Sequence, residues 1–417
     1  MLRLAATIAI GAMMAASAAH ASMRLFDRDT LQGVVDLRFA VTDGPSNADD
    51  RGFGKMRFGG AGNGAVGRLT FGALDLVWRP QITDDVSLVI DAVAQPNATR
   101  GIDAVEAFAL YKPTPTSPLR VQARAGMFYI PVSLEHNSSA GEPWSVTNTI
   151  TPSAINTWVG DELKAVGVEG RISYPLLGAR MAATVGLFGY NDTSGTLLSF
   201  QGWSFSDSVA TNGQRVRLPP MNSFIRRRQA PVTEPVTDLD HRAGWYGRWD
   251  VELPNGIAVN AEWYDNNGDR RAVRKRQWSW NTTFANVGLT APLGAATEVF
   301  AQAMDGRTQM GFSRGASYWV DLYFQSAYVG VTHTRGAETF TARIDHFRTR
   351  NRPLPRPEDY SENGTAALLC WKHDLPQGRA FLLEVVDARW RRPSMAALGF
   401  DPHPSQLSVQ AAYRISI

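Results

Sequence analysis

The stretch that decides the fold is residues 31–42, which read LQGVVDLRFAVT. Every second residue from Leu31 to Val41 is apolar or glycine, and the residues between them include Asp36 and Arg38. Because successive side chains of a β-strand point to opposite faces, this pattern predicts a strand with one apolar and one charged face. The same alternation returns in residues 86–95, 119–129, 245–253 and 407–417.

The length of these segments favours a membrane barrel over a soluble sandwich. Several run for about 10 residues, which is what a tilted strand needs to cross a bilayer, whereas strands of soluble proteins usually have about 5–6. A sandwich would turn its apolar face inward, and a barrel turns that face to lipid. The chain has no second long apolar segment after its N-terminus, so a helical membrane protein is excluded.

The connections alternate between short and long. Short polar turns are predicted at 83–85, 113–118, 175–178, 254–256, 292–295, 334–337 and 376–378. Longer charged stretches lie at 43–66, 131–162, 191–242, 265–276, 305–316, 348–363 and 391–404, with 96–101 a short segment in a long-loop position. The prediction is an all-β fold, a transmembrane antiparallel β-barrel of about 16 strands with short periplasmic turns and long extracellular loops. Bulges are expected in 277–291 and 296–305, where the alternation breaks.

The N-terminus predicts export. Arg3 precedes an apolar run from Leu4 to Ala16, and Ala19-His20-Ala21 fits a signal-peptidase site, so 1–21 is predicted to be a signal peptide and 22–417 one barrel domain. The single cysteine, Cys370, excludes an intramolecular disulfide and a cysteine-rich zinc site. A formal net charge of +3 is too small to indicate a nucleic-acid partner.

Enzyme motifs lack their structural context. Residues 311–315, GFSRG, match G-x-S-x-G, but a hydrolase needs this motif between a strand and a helix, and here it is predicted to lie between two strands. The acidic stretch 265–269 does not have EF-hand spacing, and the histidines show no metal-binding pair. We therefore predict no enzyme, no metal and no cofactor.

The long segment 131–162 is predicted to fold into the lumen and narrow it, because its Trp and Ile residues need a burial site; the alternative is an outward-facing loop. We call it the constriction loop. Its acids Glu135, Glu142, Asp161 and Glu162 are expected to face Arg38, Arg120, Arg124 and Arg171 across the pore and to set a transverse field. The predicted pore-lining residues stand on the polar face of alternating strands: Asp36, Arg38, Asp91, Arg120, Arg124, Glu169, Arg171, Arg248, Glu262, Arg343 and Asp345.

The chain resembles porins related to the phosphate-selective porin O and P family. The resemblance extends over the mature chain and rests on 124–131 (RAGMFYIP) with 133–135, 151–156 (TPSAIN) with 158–160, 306–308, and 359–364 (DYSENG). It implies a trimeric, anion-preferring diffusion channel. The chain departs from the family in its scattered lysines and in ending on Ile417, where outer-membrane proteins usually end on an aromatic residue.

The predicted function is passive diffusion of small hydrophilic solutes through the outer membrane of a Gram-negative bacterium. The predicted partners are membrane lipid and lipopolysaccharide, the solutes or anions, the barrel assembly machinery and two further copies in a homotrimer. The basic clusters 226–228, 270–271 and 274–276 are expected to attract anions or to meet lipopolysaccharide phosphates. Two alternatives remain: a barrel enzyme such as a lipase, and a structural or adhesion barrel with a plugged lumen.

Overall fold

A computed structural model describes residues 25–26, 30–62, 64–136, 143–314, 317–352 and 359–417. The predicted signal peptide lies outside these residues. Sixteen antiparallel strands form one closed barrel in sequence order. They are β1 (Leu31–Thr42), β2 (Val66–Trp78), β3 (Val86–Ala94), β4 (Asp103–Tyr111), β5 (Arg120–Tyr129), β6 (Lys164–Leu176), β7 (Ala179–Gly189), β10 (Gly244–Glu252), β11 (Ala258–Asp265), β14 (Asn281–Pro292), β15 (Thr297–Arg314), β16 (Ser317–Arg335), β17 (Glu338–Asn351), β18 (Glu362–Leu375), β19 (Arg379–Arg391) and β20 (Ser405–Ser416).

The predicted fold class is confirmed, and the burial pattern shows why the sequence adopts it. In β1 the side chains of Asp36 and Arg38 are buried inside the barrel, whereas Leu37 and Phe39 are about half exposed on its outer wall. The first strand pairs with the last, Val34 opposite Ser416, so the sheet has no free edge. In a closed sheet the backbone N–H and C=O groups are hydrogen-bonded between strands, so a barrel with an apolar outer wall can face lipid without unpaired backbone groups.

The two ends of the barrel differ as predicted. Short turns join β6 to β7 and β16 to β17 at one end, which also holds the end of β20, and the long loops lie at the other. By the usual layout of outer-membrane barrels, the short-turn end is periplasmic and the long-loop end extracellular. In the described residues, no helix is long and apolar enough to span a membrane.

Two details of the sequence prediction are wrong. Residues 305–314 are no loop, because β15 extends to Arg314; the described residues 311–314 of the G-x-S-x-G motif are strand, and the next described residue, Ser317, begins β16. Register shifts fall at 36/37, 91/92 and 310/313 rather than in 277–305, where β14 and β15 stay in register. At 310/313 the positive φ of Gly311 accommodates the extra residues.

Short elements lie inside the loops. Two small hairpins form from β8 (Val216–Arg217) with β9 (Val232–Thr233), and from β12 (Val273–Arg274) with β13 (Gln277–Trp278). The α-helices are Ala154–Glu162, Thr196–Phe200 and Ser223–Arg226, and a 3₁₀ helix spans Pro393–Leu398. The first two helices belong to loops that enter the barrel.

Candidate functional site

The constriction loop lies inside the barrel and is anchored by its helix. Ser153 caps the helix Ala154–Glu162 by accepting a hydrogen bond from the backbone N–H of Asn156. The Trp158 ring packs edge-on against Phe284 of β14 and Phe324 of β16, with centroids 5.6 and 5.2 Å away. Trp158 is 3% exposed, so the inward position of the loop provides the burial that this side chain was predicted to need.

An ion-pair network ties the first part of the constriction loop to β17. A carboxylate oxygen of Glu135 lies 2.6 Å from the guanidinium of Arg343, which also pairs with Asp345 at 2.8 Å. The other oxygen of Glu135 accepts a hydrogen bond from the backbone N–H of Ser153 at 2.8 Å. One loop carboxylate thus joins the barrel wall to the start of the helix.

Other wall side chains hold the backbone of the same loop. Glu384 of β19 accepts hydrogen bonds from the backbone N–H groups of Ile150 and Thr151, at 2.7 and 3.1 Å. Arg414 of β20 donates to the Val146 carbonyl at 2.9 Å and to Asp36 at 2.9 Å. These contacts satisfy loop backbone groups that lie away from water inside the barrel.

A second loop, 191–242, also enters the lumen, and we call it the second inward loop. Asp207 pairs with Arg38 of β1 at 2.6 Å and with Arg57 at 3.1 Å. Burial by itself would raise the pKa of Asp207, but the two guanidinium groups, Arg38 first, hold this pKa well below its usual range. The predicted extracellular position of this loop is therefore wrong for its inward part. The largely apolar stretch from Leu197 to Phe205 is the signal that could have indicated burial.

Glu162 joins the two loops. Its carboxylate accepts hydrogen bonds from Trp158 at 2.7 Å and from the backbone N–H groups of Gly195 and Leu197, both at 2.9 Å. Complete burial raises the pKa of Glu162 to about 7 in spite of these donors. Gly195 has a φ of 113° and sits against β15, where a Cβ atom would lie 2.1 Å from the Thr308 hydroxyl.

A stack of aromatic rings closes the other side of the constriction loop. Trp144 lies between Tyr129 and His136, with ring centroids 4.1 and 4.7 Å away. The His136 ring contacts the Ser133 hydroxyl at 3.2 Å, but that hydroxyl also accepts the backbone N–H groups of Glu135 and His136, as in an ordinary turn. Burial lowers the pKa of His136 to about 4, and the pair faces the loop interior, away from the lipid-facing rim that a lipase would use.

Open cavities lie on both sides of the packed loops. The short-turn end holds a cavity of about 560 Å³ lined by Arg79, Lys112, Arg124, Arg171, Asp84, Asp85, Glu169 and neutral residues that include Pro131. The long-loop end holds one of about 800 Å³ lined by Arg215, Arg217, Lys275, Arg276, Asp49, Asp50 and neutral neighbours. A pocket of about 80 Å³ shares Asp49, Asn97 and Arg217 with the latter and reaches down to Asp161.

All eleven predicted pore-lining residues have the inward parity of their strands, but they differ in accessibility. Arg124, Glu169 and Arg171 line the cavity at the short-turn end, and Arg120 lines a neighbouring cavity of about 320 Å³. Arg248 is partly exposed and donates to the carbonyl of Pro131. The others are buried beneath the two loops: Asp36, Arg38, Asp91, Glu262, Arg343 and Asp345.

Three of the arginines that were predicted to face the loop acids have other ion-pair partners. Arg124 pairs with Glu169 at 2.8 Å, Arg171 with Asp250 at 2.6 Å, and Arg38 with Asp36 and Asp207. Arg124 and Glu169 face each other on adjacent strands, Arg171 reaches across β7 to Asp250 of β10, and Arg38 pairs within its own strand and with the second inward loop.

The loop acids have other partners. Glu135 meets Arg343, Glu162 meets Trp158 and the second inward loop, and Asp161 lines the small pocket. Arg120, on the wall, has no ion-pair partner among the described residues. Glu142 lies outside them.

Three carboxylates of the extracellular loops come within 4.8 Å of one another, Asp192, Asp238 and Asp240. Their oxygens accept backbone N–H groups: Asp192 those of Leu239 and Asp240, and Asp238 that of His241. Burial raises the pKa of Asp192 to about 6. The cluster is accounted for by the turn that closes the second inward loop.

Solved structures with the same fold are outer-membrane barrels. The anion-selective porin from Comamonas acidovorans is 12% identical, with a TM-score of 0.51 over 93% of this chain and 99% of its own. The outer membrane channel DcaP of Acinetobacter baumannii is 10% identical, with a TM-score of 0.50 over 92% of this chain and 96% of its own. No family model and no curated protein matches the chain. At these identities the likeness shows the fold, and the predicted localisation in the outer membrane is confirmed.

Proposed function

We propose that this chain is a porin-like channel through which small hydrophilic solutes diffuse across the outer membrane. The observation that carries the proposal is the pair of charged cavities of about 560 and 800 Å³ at the two ends of one closed barrel. A purely structural barrel has no need of charged cavities at both ends; we call these two cavities the vestibules. The constriction loop and the second inward loop lie between the vestibules and limit passage.

The charges of the vestibules support a preference for anions. At the long-loop end, the cations Arg215, Arg217, Lys275 and Arg276 outnumber the carboxylates Asp49 and Asp50. At the short-turn end, four cations stand against three carboxylates, and the neighbouring 320 Å³ cavity carries Lys112, Arg120 and Arg171 without a carboxylate. Charges in a narrow passage with low-dielectric walls act more strongly than in bulk water, so this excess favours anions.

The assembly expected from the sequence is part of the same proposal: a homotrimer, inserted by the barrel assembly machinery, with no enzymatic activity and no bound cofactor. The apolar belt supports insertion, and the loop Ser133–His136 pair is explained by its turn. We also propose a relation to the phosphate-selective porins. The sequence strings quoted above support it, and so does the excess of basic residues around the vestibules.

The second candidate, a plugged structural barrel, is favoured by the aromatic core between the vestibules. Trp158, Trp203, Phe284 and Phe324 pack edge-on inside the lumen with centroids 5.2–6.1 Å apart. Under this reading the loops never leave the lumen. The closed arrangement described above is then the only conformation of the protein, and no open channel forms.

Conductance of the purified protein in planar bilayers separates the two candidates. We expect discrete current steps, and a reversal potential in a salt gradient on the anion side. The matched variant Asp207→Asn, which loosens the second inward loop, should raise the current. If both the parental chain and this folded variant stay silent under applied voltage, the channel proposal is wrong and the barrel is plugged.

A further inference from the structure

Three arginines point outward from the long-loop ends of β17 and β19. In β17 the outward positions continue from Ile344 through His346 to Arg348 and Arg350, all exposed, while Phe347 and Thr349 between them are buried. In β19 the exposed Arg391 follows Trp390, which is buried inside the barrel. The alternation places these guanidinium groups on the surface that faces the membrane, outside the channel.

Their height along the strands places them at the outer edge of the bilayer. Arg348 and Arg350 are the eleventh and thirteenth residues of β17, and Arg391 is the thirteenth of β19, counted from the short-turn end. Crossing the hydrocarbon takes about 9–11 residues, so these side chains lie at the level of the lipid headgroups. Further down, the same wall is apolar, with Ile344 61% and Leu369 65% exposed. On β19 the outward pair Arg389–Asp387 separates Arg391 from the apolar Val385 and Leu383.

The three charges are not neutralised within the described part of the chain. Nearby outward arginines have carboxylate partners: Arg307 pairs with Asp321 at 2.8 Å and Arg389 with Asp387 at 3.0 Å. Arg348, Arg350 and Arg391 have no such partner among the described residues. The guanidinium carbon of Arg350 instead lies 5.8 Å from the centroid of the Tyr323 ring, within range of a cation–π contact.

The register fixes how the charges are spaced. Arg348 is opposite Asn363 of β18, and Asn363 is opposite Arg391, so the two arginines are two strands apart, about 10 Å. Arg350 is two residues further along β17, about 7 Å from Arg348. At the corresponding ends of β10 and β11 the outward residues are Trp245 and Trp263, so the basic sector occupies one side of the barrel.

We propose that this outward sector, Arg348, Arg350 and Arg391, binds the phosphate groups of a phosphorylated glycolipid in the outer leaflet. Guanidinium groups bind phosphate oxygens with two parallel hydrogen bonds, so arginines without a carboxylate partner at the headgroup level are suited to bind lipid phosphates. The 10 Å spacing is wider than one phosphate group, which favours a lipid with two phosphates over a phospholipid with one. The apolar wall beneath accommodates its acyl chains.

The test compares two variants with the same loss of charge. Arg348, Arg350 and Arg391 are changed together to Gln, and the control carries Arg51→Gln, Arg100→Gln and Arg242→Gln, which are exposed on loops and lie outside the basic clusters named above. Native mass spectrometry in detergent then measures binding of a bis-phosphorylated glycolipid, its phosphate-free form and phosphatidylglycerol. Heat-modifiable migration on gels confirms that each barrel is folded.

We expect the parental and control chains to bind the bis-phosphorylated glycolipid, and the outward triple variant to bind it roughly 100-fold more weakly, at about 1 kcal/mol per arginine. Equal binding by the triple variant, or an equal loss in the control, would overturn the site. Equal binding of the phosphate-free form would overturn the phosphate chemistry, and equal binding of phosphatidylglycerol the choice of a glycolipid. Dissociation of an oligomer without loss of glycolipid would assign the sector to a subunit interface instead.

Discussion

The attachment of the second inward loop to the wall gives the sharpest prediction. Asp207→Asn removes the negative charge that pairs with Arg38 at 2.6 Å and Arg57 at 3.1 Å. Breaking a buried ion pair by removing one partner costs about 3–5 kcal/mol, and we take the lower end because Arg38 keeps Asp36. A cost of about 3 kcal/mol shifts the ratio of open to closed channels by roughly 100-fold.

The assay is single-channel recording in planar bilayers, with the time spent at the higher conductance as the measured quantity. Asp50→Asn is the matched control, because Asp50 is exposed on an extracellular loop and contacts Arg68 only at 3.8 Å. We expect long open periods in Asp207→Asn and parental open periods in Asp50→Asn. Parental open times in a folded Asp207→Asn barrel, or equal opening in the control, would refute the idea that this ion pair holds the loop.

Further predictions concern pH, selectivity and the lipid face. Burial raises the pKa of Glu162 to about 7, so the closed state binds a proton and loses stability as pH rises through 7. Conductance should therefore increase from about pH 5 to 8, and Glu162→Gln should flatten this curve. Opening of the channel on acidification would contradict the prediction. Arg120→Ala should move the reversal potential in a salt gradient toward cations. Arg226→Gln should only lower the current at low salt, since exposed charges are screened within about 10 Å at 0.1 M. An unchanged reversal potential for Arg120→Ala would show that Arg120 does not line the pore. Leu383→Arg, in the middle of β19, should lower the free energy of unfolding by about 2–4 kcal/mol, measured by urea unfolding from lipid vesicles. Val121→Arg should lower it by only about 0–1 kcal/mol, because Val121 is at the short-turn end of β5. Equal losses for the two variants would place the membrane elsewhere along the barrel.

The barrel could be predicted from the sequence because its information is local. Alternation in each strand depends on residues two apart, and the sixteen strands follow one another around the sheet in chain order. The constriction loop could also be proposed, since Trp144 and Trp158 in a long polar segment require burial. Strand ends were harder to place, because the hairpin of β15 and β16 continues beyond the membrane with little change in composition.

The partners inside the lumen could not be predicted, because they depend on contacts across the barrel. Glu135 meets Arg343, which is 208 residues away, and Asp207 meets Arg38 at a separation of 169. No periodicity links such positions. Arg124 could have been matched with Glu169 only from the register of β5 and β6, and sequence alone does not supply that register.

The seam between β1 and β20 has a consequence for how the chain folds. Every other neighbouring pair in the barrel joins strands that are consecutive around it and linked by one turn or loop, whereas Thr42 meets Ser408 across 366 residues. The entropy cost of closing so long a loop is compensated only when β20 pairs with β1, so closure of the barrel is a late and slow step of folding. Until then both terminal strands present unpaired edges to any other chain. Loss of residues 405–416 would therefore leave an open sheet prone to pair with its neighbours, however sound the other fifteen strands are.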